Sequence, residues 1–219
     1  MIDTKEKILE TAERLFGENG YGATSLRQII AEAGVNLAAI HYHFGSKEDL
    51  LDAAVERKLT PINAERLRLL DEAAAQAGDK PMTVEVFLDA FLRPAVIQAG
   101  RDPNFCRFMG RLHAEDLIPR IIVKNFQEVA ARFLGGFRQL LVDLPADELA
   151  WRIHFMIGAM AHTLKGPPVH PGAAADCNVD PERLVRYIVN FLSAGFRAPA
   201  TTPPQVGAGD LVAGVEVKS

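Results

Sequence analysis

The chain has 219 residues, 48% hydrophobic and 24% charged, with a formal net charge of −4. That is an ordinary globular composition for one large or two small domains, and it carries no positive surplus that would point to nucleic acid. Asp3, Glu6 and Glu10 occupy the place of a signal peptide's basic and apolar regions, Arg152, His154 and His162 interrupt the richest apolar stretch, and Cys106 and Cys177 form no CxxC pair; a signal peptide, a membrane span and a disulfide or zinc framework are therefore not expected, and a reduced cytoplasmic protein is.

Apolar residues recur at helical spacing along the chain and no convincing strand alternation is found, so the expected class is all-α. A first helix is expected from about Thr4 to Asn19, with Asp3 and Glu6 at capping-box spacing and Ile8, Leu9, Ala12, Leu15 and Phe16 on one face. Gly20 ends it. A second begins at Ser25, with Gln28 three residues on, turns Leu26, Ile29, Ile30 and Ala33 inward, and stops at Gly34. Asn36 is placed to cap a third, Leu37 to Phe44; Gly45 breaks it and Ser46 caps a fourth starting at Lys47. Two short helices joined by a tight turn behind a longer lead-in helix make an N-terminal three-helix, helix-turn-helix domain.

In that arrangement Val35, Ile40 and Phe44 point back at the first two helices, while Leu37, Ala38, His41 and Tyr42 point outward. Small apolar side chains let a helix approach a major groove, and methyl groups can contact thymine. Tyr42 can donate to a phosphate, Lys47 places a cation in the next helix's first turn, and the helix starts at Ser25 and Ser46 present free N–H groups to anions. The first fifty residues nevertheless hold five lysines and arginines against eight acidic residues, so Glu6, Glu10, Glu13 and Glu18 must largely face away from any DNA. On spacing alone, Tyr42 and His43 read first as part-buried packing residues.

The segment "TSLRQIIAEAGVNLAAIHYHFGSKEDLL", Thr24 to Leu51, closely resembles the signature of the TetR family of bacterial transcriptional repressors, and the preceding "ILETAERLFGENGYGATS" fits that family's first helix and turn. The resemblance covers about the first 50 residues without a gap. It implies a DNA partner and assigns roles. Thr24, Ser25, Tyr42 and Lys47 match positions that hold phosphates, and Arg27 matches a phosphate or base contact. Leu37, Ala38 and His41 match positions facing base edges, with Asn36 capping their helix; His43 fixes the junction with the fourth helix. His41 stands where the family more often has tyrosine or phenylalanine, which bears on base specificity.

Beyond Leu50 a long helix continues, with Pro61 a kink or break and "DEAAAQAGDKP", Asp71 to Pro81, a loop. Further helices are expected near 82–99, 104–114, 120–142, 146–165 and 181–197, punctuated by Gly100, Pro103, Pro119 and Pro145, with Asp180 and Pro181 opening the last. From Ala198 the composition suggests a mobile tail. Three divisions follow: 1–50 for DNA, 51–197 for ligand binding and dimerisation as the resemblance implies, and 198–219 as tail.

Family regulators are usually homodimers built on their last two long helices, which here supply Ile153 and Ile157 from one stripe, Gly158 and Ala161 as small residues that permit close approach, and Leu184, Ile188 and Phe191 from a second stripe. The alternative is an intramolecular core. "WRIHFMIGA" also resembles, over a shorter stretch, a branch of fatty-acid-responsive repressors, implying an apolar effector such as a fatty acid or acyl-CoA. Phe105, Phe108, Met109, His113, Phe126, Phe133, Phe137, Trp151 and Phe155 are candidates to line its pocket, with His113, Arg107 or Arg111 at the headgroup, although aromatic residues at this spacing also make plain core.

Enzyme readings have less to stand on. His113, Glu115 and Asp116, or His154 and His162, could be drawn as an acid–base or metal set, but neither has HExxH spacing, and GxSxG, Walker A and GxGxxG are absent. No cofactor or metal is expected. The remaining alternatives are a helical lipid-binding protein without DNA binding and a small helical hydrolase or metal enzyme. The favoured reading is a homodimeric repressor on an inverted-repeat operator, with the fourth helix as the lever between domains.

Overall fold

A computed structural model describes residues 3–117, 126–164 and 179–201. Pro119 and the start of the helix expected near 120, Cys177, and the tail beyond 201 lie outside the described residues. Among the described residues there are nine helices and no strand: α1 Thr4–Asn19, α2 Leu26–Ala33, α3 Leu37–His43, α4 Lys47–Ala77, α5 Val84–Arg101, α6 Pro103–Ala114, α7 Gln127–Leu140, α8 Ala146–Thr163 and α9 Pro181–Arg197. The all-α architecture, a helix-turn-helix head followed by a helical bundle, is as the periodicity predicts. No described helix is long and apolar enough to cross a membrane.

The head is set by its caps. Asp3, Ser25, Asn36 and Ser46 each accept a hydrogen bond from a backbone N–H one turn inside α1 to α4. Only Ser46 forms the reciprocal box, with Asp49. Glu6 does not return to Asp3 as its spacing suggests, because Arg57 on α4 takes it at 3.0 Å. Between α2 and α3, Gly34 sits at φ 64°, ψ 37°, a left-handed turn in which a side chain would be strained.

α4 departs from expectation twice. It runs through Pro61 for 31 residues, about 46 Å at 1.5 Å per residue. The proline's local cost is outweighed by burial on both sides, Leu51, Ala54, Val55 and Leu59 before it and Ile62 and Leu70 after it. The expected loop at 71–81 shrinks to the few residues after Ala77, since Ala, Glu and Gln are strong helix formers. α4 therefore crosses residue 50, the expected domain edge, without interruption.

The packing blurs that edge further. The core of the head joins Ile8, Phe16, Ile29, Ile40 and Leu51 to Phe108 and Leu112 of α6. A Cβ on Gly17 would lie 3.2 Å from the Phe108 nitrogen, so α1 and α6 touch backbone to backbone. A second core gathers Phe87, Leu88, Phe133, Phe137, Ile188, Leu192 and Phe196 from α5, α7 and α9, with the Phe137 and Phe196 rings stacked at 4.8 Å. Four residues of the expected tail are pinned or adjoin the pin. Arg152 donates to the carbonyls of Gly195, Phe196, Ala198 and Pro199 at 2.8–3.0 Å, and Glu148 accepts from the Thr201 N–H at 2.9 Å.

Candidate DNA-binding face and effector cavity

The outward face of α3 is formed by Leu37, Ala38, His41 and Tyr42, with Tyr42 85% exposed; Ile40 is fully buried beneath it. Ser25, Arg27 and Asn36 are also exposed, Ser25 and Asn36 as caps. His43 is half-buried, edge-on to Tyr42 at 5.1 Å and tilted against Phe44 at 6.1 Å. His41 Nδ1 lies 2.8 Å from the Gly45 carbonyl. A carbonyl can only accept, so Nδ1 carries the proton and Nε2 is the ring nitrogen left for another partner.

Two members of the expected phosphate set are placed otherwise. Thr24 is 1% exposed, and its hydroxyl lies at 2.7 Å from the Gly20 carbonyl and 3.1 Å from that of Leu15. Its hydroxyl closes the α1–α2 loop rather than facing solvent. Lys47 is half-buried, its Nζ 2.6 Å from the Tyr21 carbonyl and 4.2 Å above the Tyr21 ring. Burial pushes its ammonium below the usual lysine range, against the pull of Glu115. The same loop is held from the other side: Glu115, at the end of α6, accepts from the Tyr21 and Gly22 N–H groups at 3.0 Å each. Arg111 donates to the Glu18 carbonyl at 3.1 Å. Glu115 thus belongs to a clasp on the head, and no group of three metal-binding side chains occurs among the described residues.

The acidic surplus of the head is largely absorbed by α4. Arg57 pairs with Glu6, Glu10 and Glu13, and Lys58 bridges Glu13 to Asp102 at 3.1 and 2.9 Å. Burial raises the Glu13 carboxyl above the usual range, opposed by Lys58 and Arg57.

The bundle holds a cavity of about 270 Å³ between α5, α6, α7 and α8, open to solvent on one side. Met109, His113, Phe126, Phe133 and Phe137 line it as expected. Phe105 and Phe108 do not. Phe105 is buried between Ile62 and Ala95, and Phe108 is in the core of the head. Trp151 and Phe155 point outward, 60% and 61% exposed. Ile153, Ile157 and Ala161, expected at a subunit interface, line the cavity instead. The two faces of α8 are thus exchanged relative to expectation, because α8 is apolar on both and periodicity does not say what each meets. Ile188 is likewise core, whereas Gly158 and Phe191 are exposed and Leu184 is intermediate. Arg107 and Arg111 lie on the exposed side of α6 and are not in the cavity wall.

One residue beside the cavity was not anticipated. Arg66 of α4 is 2% exposed. Its Nε donates to the Phe91 carbonyl at 2.7 Å, Nη1 to Asn63 Oδ1 at 2.9 Å and Nη2 to Met160 Sδ at 3.8 Å. A signal was available: Leu59, Ile62, Arg66 and Leu70 share one apolar stripe of α4, and only one of them is charged.

A capped helix-turn-helix head fused to a helical bundle is the architecture of a helical DNA-binding regulator. Residues 8–54 match the family described as bacterial regulatory proteins, tetR family, and residues 85–195 match the tetracyclin repressor-like C-terminal domain. The chain belongs to the TetR family of bacterial regulatory proteins. Matches to YerO and LmrA of Bacillus subtilis, 43% identical over 56 residues and 50% over 54, cover only 19% and 29% of those proteins. A longer match, 24% identical over 168 residues, covers 75% of this chain and 80% of the regulator BetI of Rhizobium meliloti. Among solved structures, the fatty acid degradation regulator FadR of Bacillus halodurans superposes with TM-score 0.58 at 20% identity, covering 91% of this chain and 99% of that one. The ketosteroid transcriptional regulator KstR2 of Mycobacterium tuberculosis gives 0.62 at 17%, covering 89% and 95%. At such identities the likeness is one of fold.

Thr24→Val tests the reassignment of that residue. Losing a buried hydroxyl from two carbonyls should cost about 1–3 kcal/mol, read as a lower denaturation midpoint, with the salt dependence of DNA binding unchanged. Unchanged stability with weakened DNA binding would return Thr24 to the phosphate set.

Proposed function

We propose that the protein is a homodimeric repressor released from an inverted-repeat operator by a small apolar effector, a fatty acid or its acyl-CoA. The first fifty residues are the reading head and residues 51–197 the effector and dimer region. The observation that carries the reading is the double membership of α6. Cys106, Met109, Gly110 and His113 face the cavity, while Phe108, Leu112, Arg111 and Glu115 hold α1 and its following loop. A ligand that prefers one position of α6 thereby prefers one orientation of the head, which is all that release requires. This route through α6 joins α4 as a lever.

On DNA, α3 enters a major groove, with Tyr42 and Arg27 on phosphates and Leu37, Ala38 and His41 at base edges. With Nδ1 engaged by the Gly45 carbonyl, His41 presents Nε2 to the groove for a base edge. Two-fold symmetry places the half-sites roughly 34 Å apart or a multiple of that. The dimer face supported best is the exposed one, Trp151, Phe155 and Gly158 on α8 with Tyr187 and Phe191 on α9. A cluster of exposed large aromatic residues on two adjacent helices is what a partner subunit covers.

Each buried methylene contributes ~0.8 kcal/mol, so eight would supply up to ~6 kcal/mol before ordering costs. The deciding experiment titrates operator-bound protein with fatty acids and acyl-CoAs from short to long, followed by fluorescence anisotropy. Release with an optimum chain length is expected. Release by polar metabolites alone would leave a regulator without a lipid effector.

His41→Ala should change the sequences recovered from a randomised DNA library and leave non-specific affinity nearly intact. Recovery of the same motif by both proteins would remove His41 from the readers. The double variant Phe155→Glu, Phe191→Glu should sediment as a monomer and lose operator binding, since two charged carboxylates cannot be buried unpaired at an interface. An unaltered dimer would put the subunit contact on another surface.

A further inference from the structure

We propose that the cavity takes a free carboxylic acid whose carboxylate is received by the Arg66 guanidinium. This rests on the effector reading above and narrows it to one headgroup. Phe91, Phe126 and Met160 are walls of the cavity. Arg66 contacts all three, its Cζ 4.2 Å over the Phe91 ring and 5.5 Å from that of Phe126, and its Nη2 directed at the Met160 sulfur. A buried guanidinium therefore stands immediately behind an apolar wall.

Its partners are neutral. A guanidinium has five N–H groups, and those of Arg66 meet one peptide carbonyl, one side-chain amide oxygen and one thioether, the last a weak acceptor. No described carboxylate pairs with it. Three partly buried cations have one: Lys58 has Glu13 and Asp102, Arg93 has Asp89, and Arg152 has Glu148; half-buried Lys47, like Arg66, rests on a carbonyl and a ring, but it is far less buried. Burial pushes the Arg66 guanidinium down to about 9, which still leaves it cationic at neutral pH. A buried charge without a counter-charge is costly, and an apolar residue of similar volume would often serve stability better. The face-on Phe91 ring offsets part of that cost but supplies no anion.

A carboxylate fits what is missing. Its two oxygens match the guanidinium fork, and one of them would replace the thioether on Nη2. Methionine is flexible enough to move aside. The rest of such a ligand would lie among the phenylalanine, isoleucine and methionine side chains of the cavity. Apart from Cys106 and His113, that lining offers a hydrocarbon chain only apolar side chains and glycine.

The test compares octanoic acid, methyl octanoate and 1-octanol as releasers of the wild-type protein from operator DNA, with direct binding by calorimetry. The acid should act at about 10- to 100-fold lower concentration than the ester or alcohol, the range expected for hydrogen bonds to a charged group. Arg66→Met should abolish that preference and leave the ester's potency in place, while Arg66→Lys should keep part of it. Equal potency of acid and ester on the wild type overturns the proposal. So does an acid preference that survives in Arg66→Met, which would pass the headgroup to His113. If Arg66→Met does not fold, the wild-type comparison decides alone. If none of the three compounds binds, the apolar-effector reading fails and this proposal with it; if the ester binds as well as the acid, only this proposal fails.

Discussion

Helix α6 is packed from both sides, and the rest of the molecule is arranged around that constraint. Twelve residues long, it gives Phe108 and Leu112 to the core of the head and Met109 and Gly110 to the cavity wall. Close-packed interiors resist small displacements, so a helix shared by two of them cannot move in one without being felt in the other. The Gly17–Phe108 approach and the Glu115 clasp on the Tyr21 and Gly22 N–H groups make the contact with the head short and polar as well as apolar. The position of the head is therefore set by the inside of the bundle as much as by its own three helices.

The same arrangement explains an acidic DNA-binding protein. Bulk charge argues against nucleic acid, yet much of the acid on α1 is turned to Arg57 and Lys58, and Glu18 and Glu32 both pair with Arg14. The pairs from Arg14 to Glu32 and from Arg57 and Lys58 join α1 to α2 and to α4, and α3 itself has no carboxylate in its sequence. Local geometry, rather than net charge, decides what the head can approach.

What could be read from the sequence was whatever is determined locally. The caps at Asp3, Ser25, Asn36 and Ser46 and the glycine at 34 each act within one turn, and the helix ends follow them closely. The outward face of α3 was legible because Val35, Ile40 and Phe44 leave it one direction to face. What failed depended on partners distant in the chain. Thr24 and Lys47 look like solvent-facing polar residues until the α1–α2 loop folds over them. Pro61 is a breaker locally and a passenger in a helix buried along its length. α8 offers two apolar faces, and its sequence does not say which meets the cavity and which meets solvent. Arg66 was readable in principle, as a charge in an apolar stripe, but its meaning needed the cavity beside it.

Pro61 has a mechanical consequence. Proline has no N–H to give to the carbonyl four residues earlier, so α4 lacks one rung of its ladder at Arg57. Arg57 is the residue that grips α1, and Arg66, five residues past the proline, abuts the cavity. A rod of about 46 Å at 1.5 Å per residue thus has its interrupted rung between its grip on the head and its contact with the cavity wall. Sharp bends in helices fall where the ladder is interrupted, so any change of direction along α4 is cheapest at Pro61, between the half that holds the head and the half that backs the cavity.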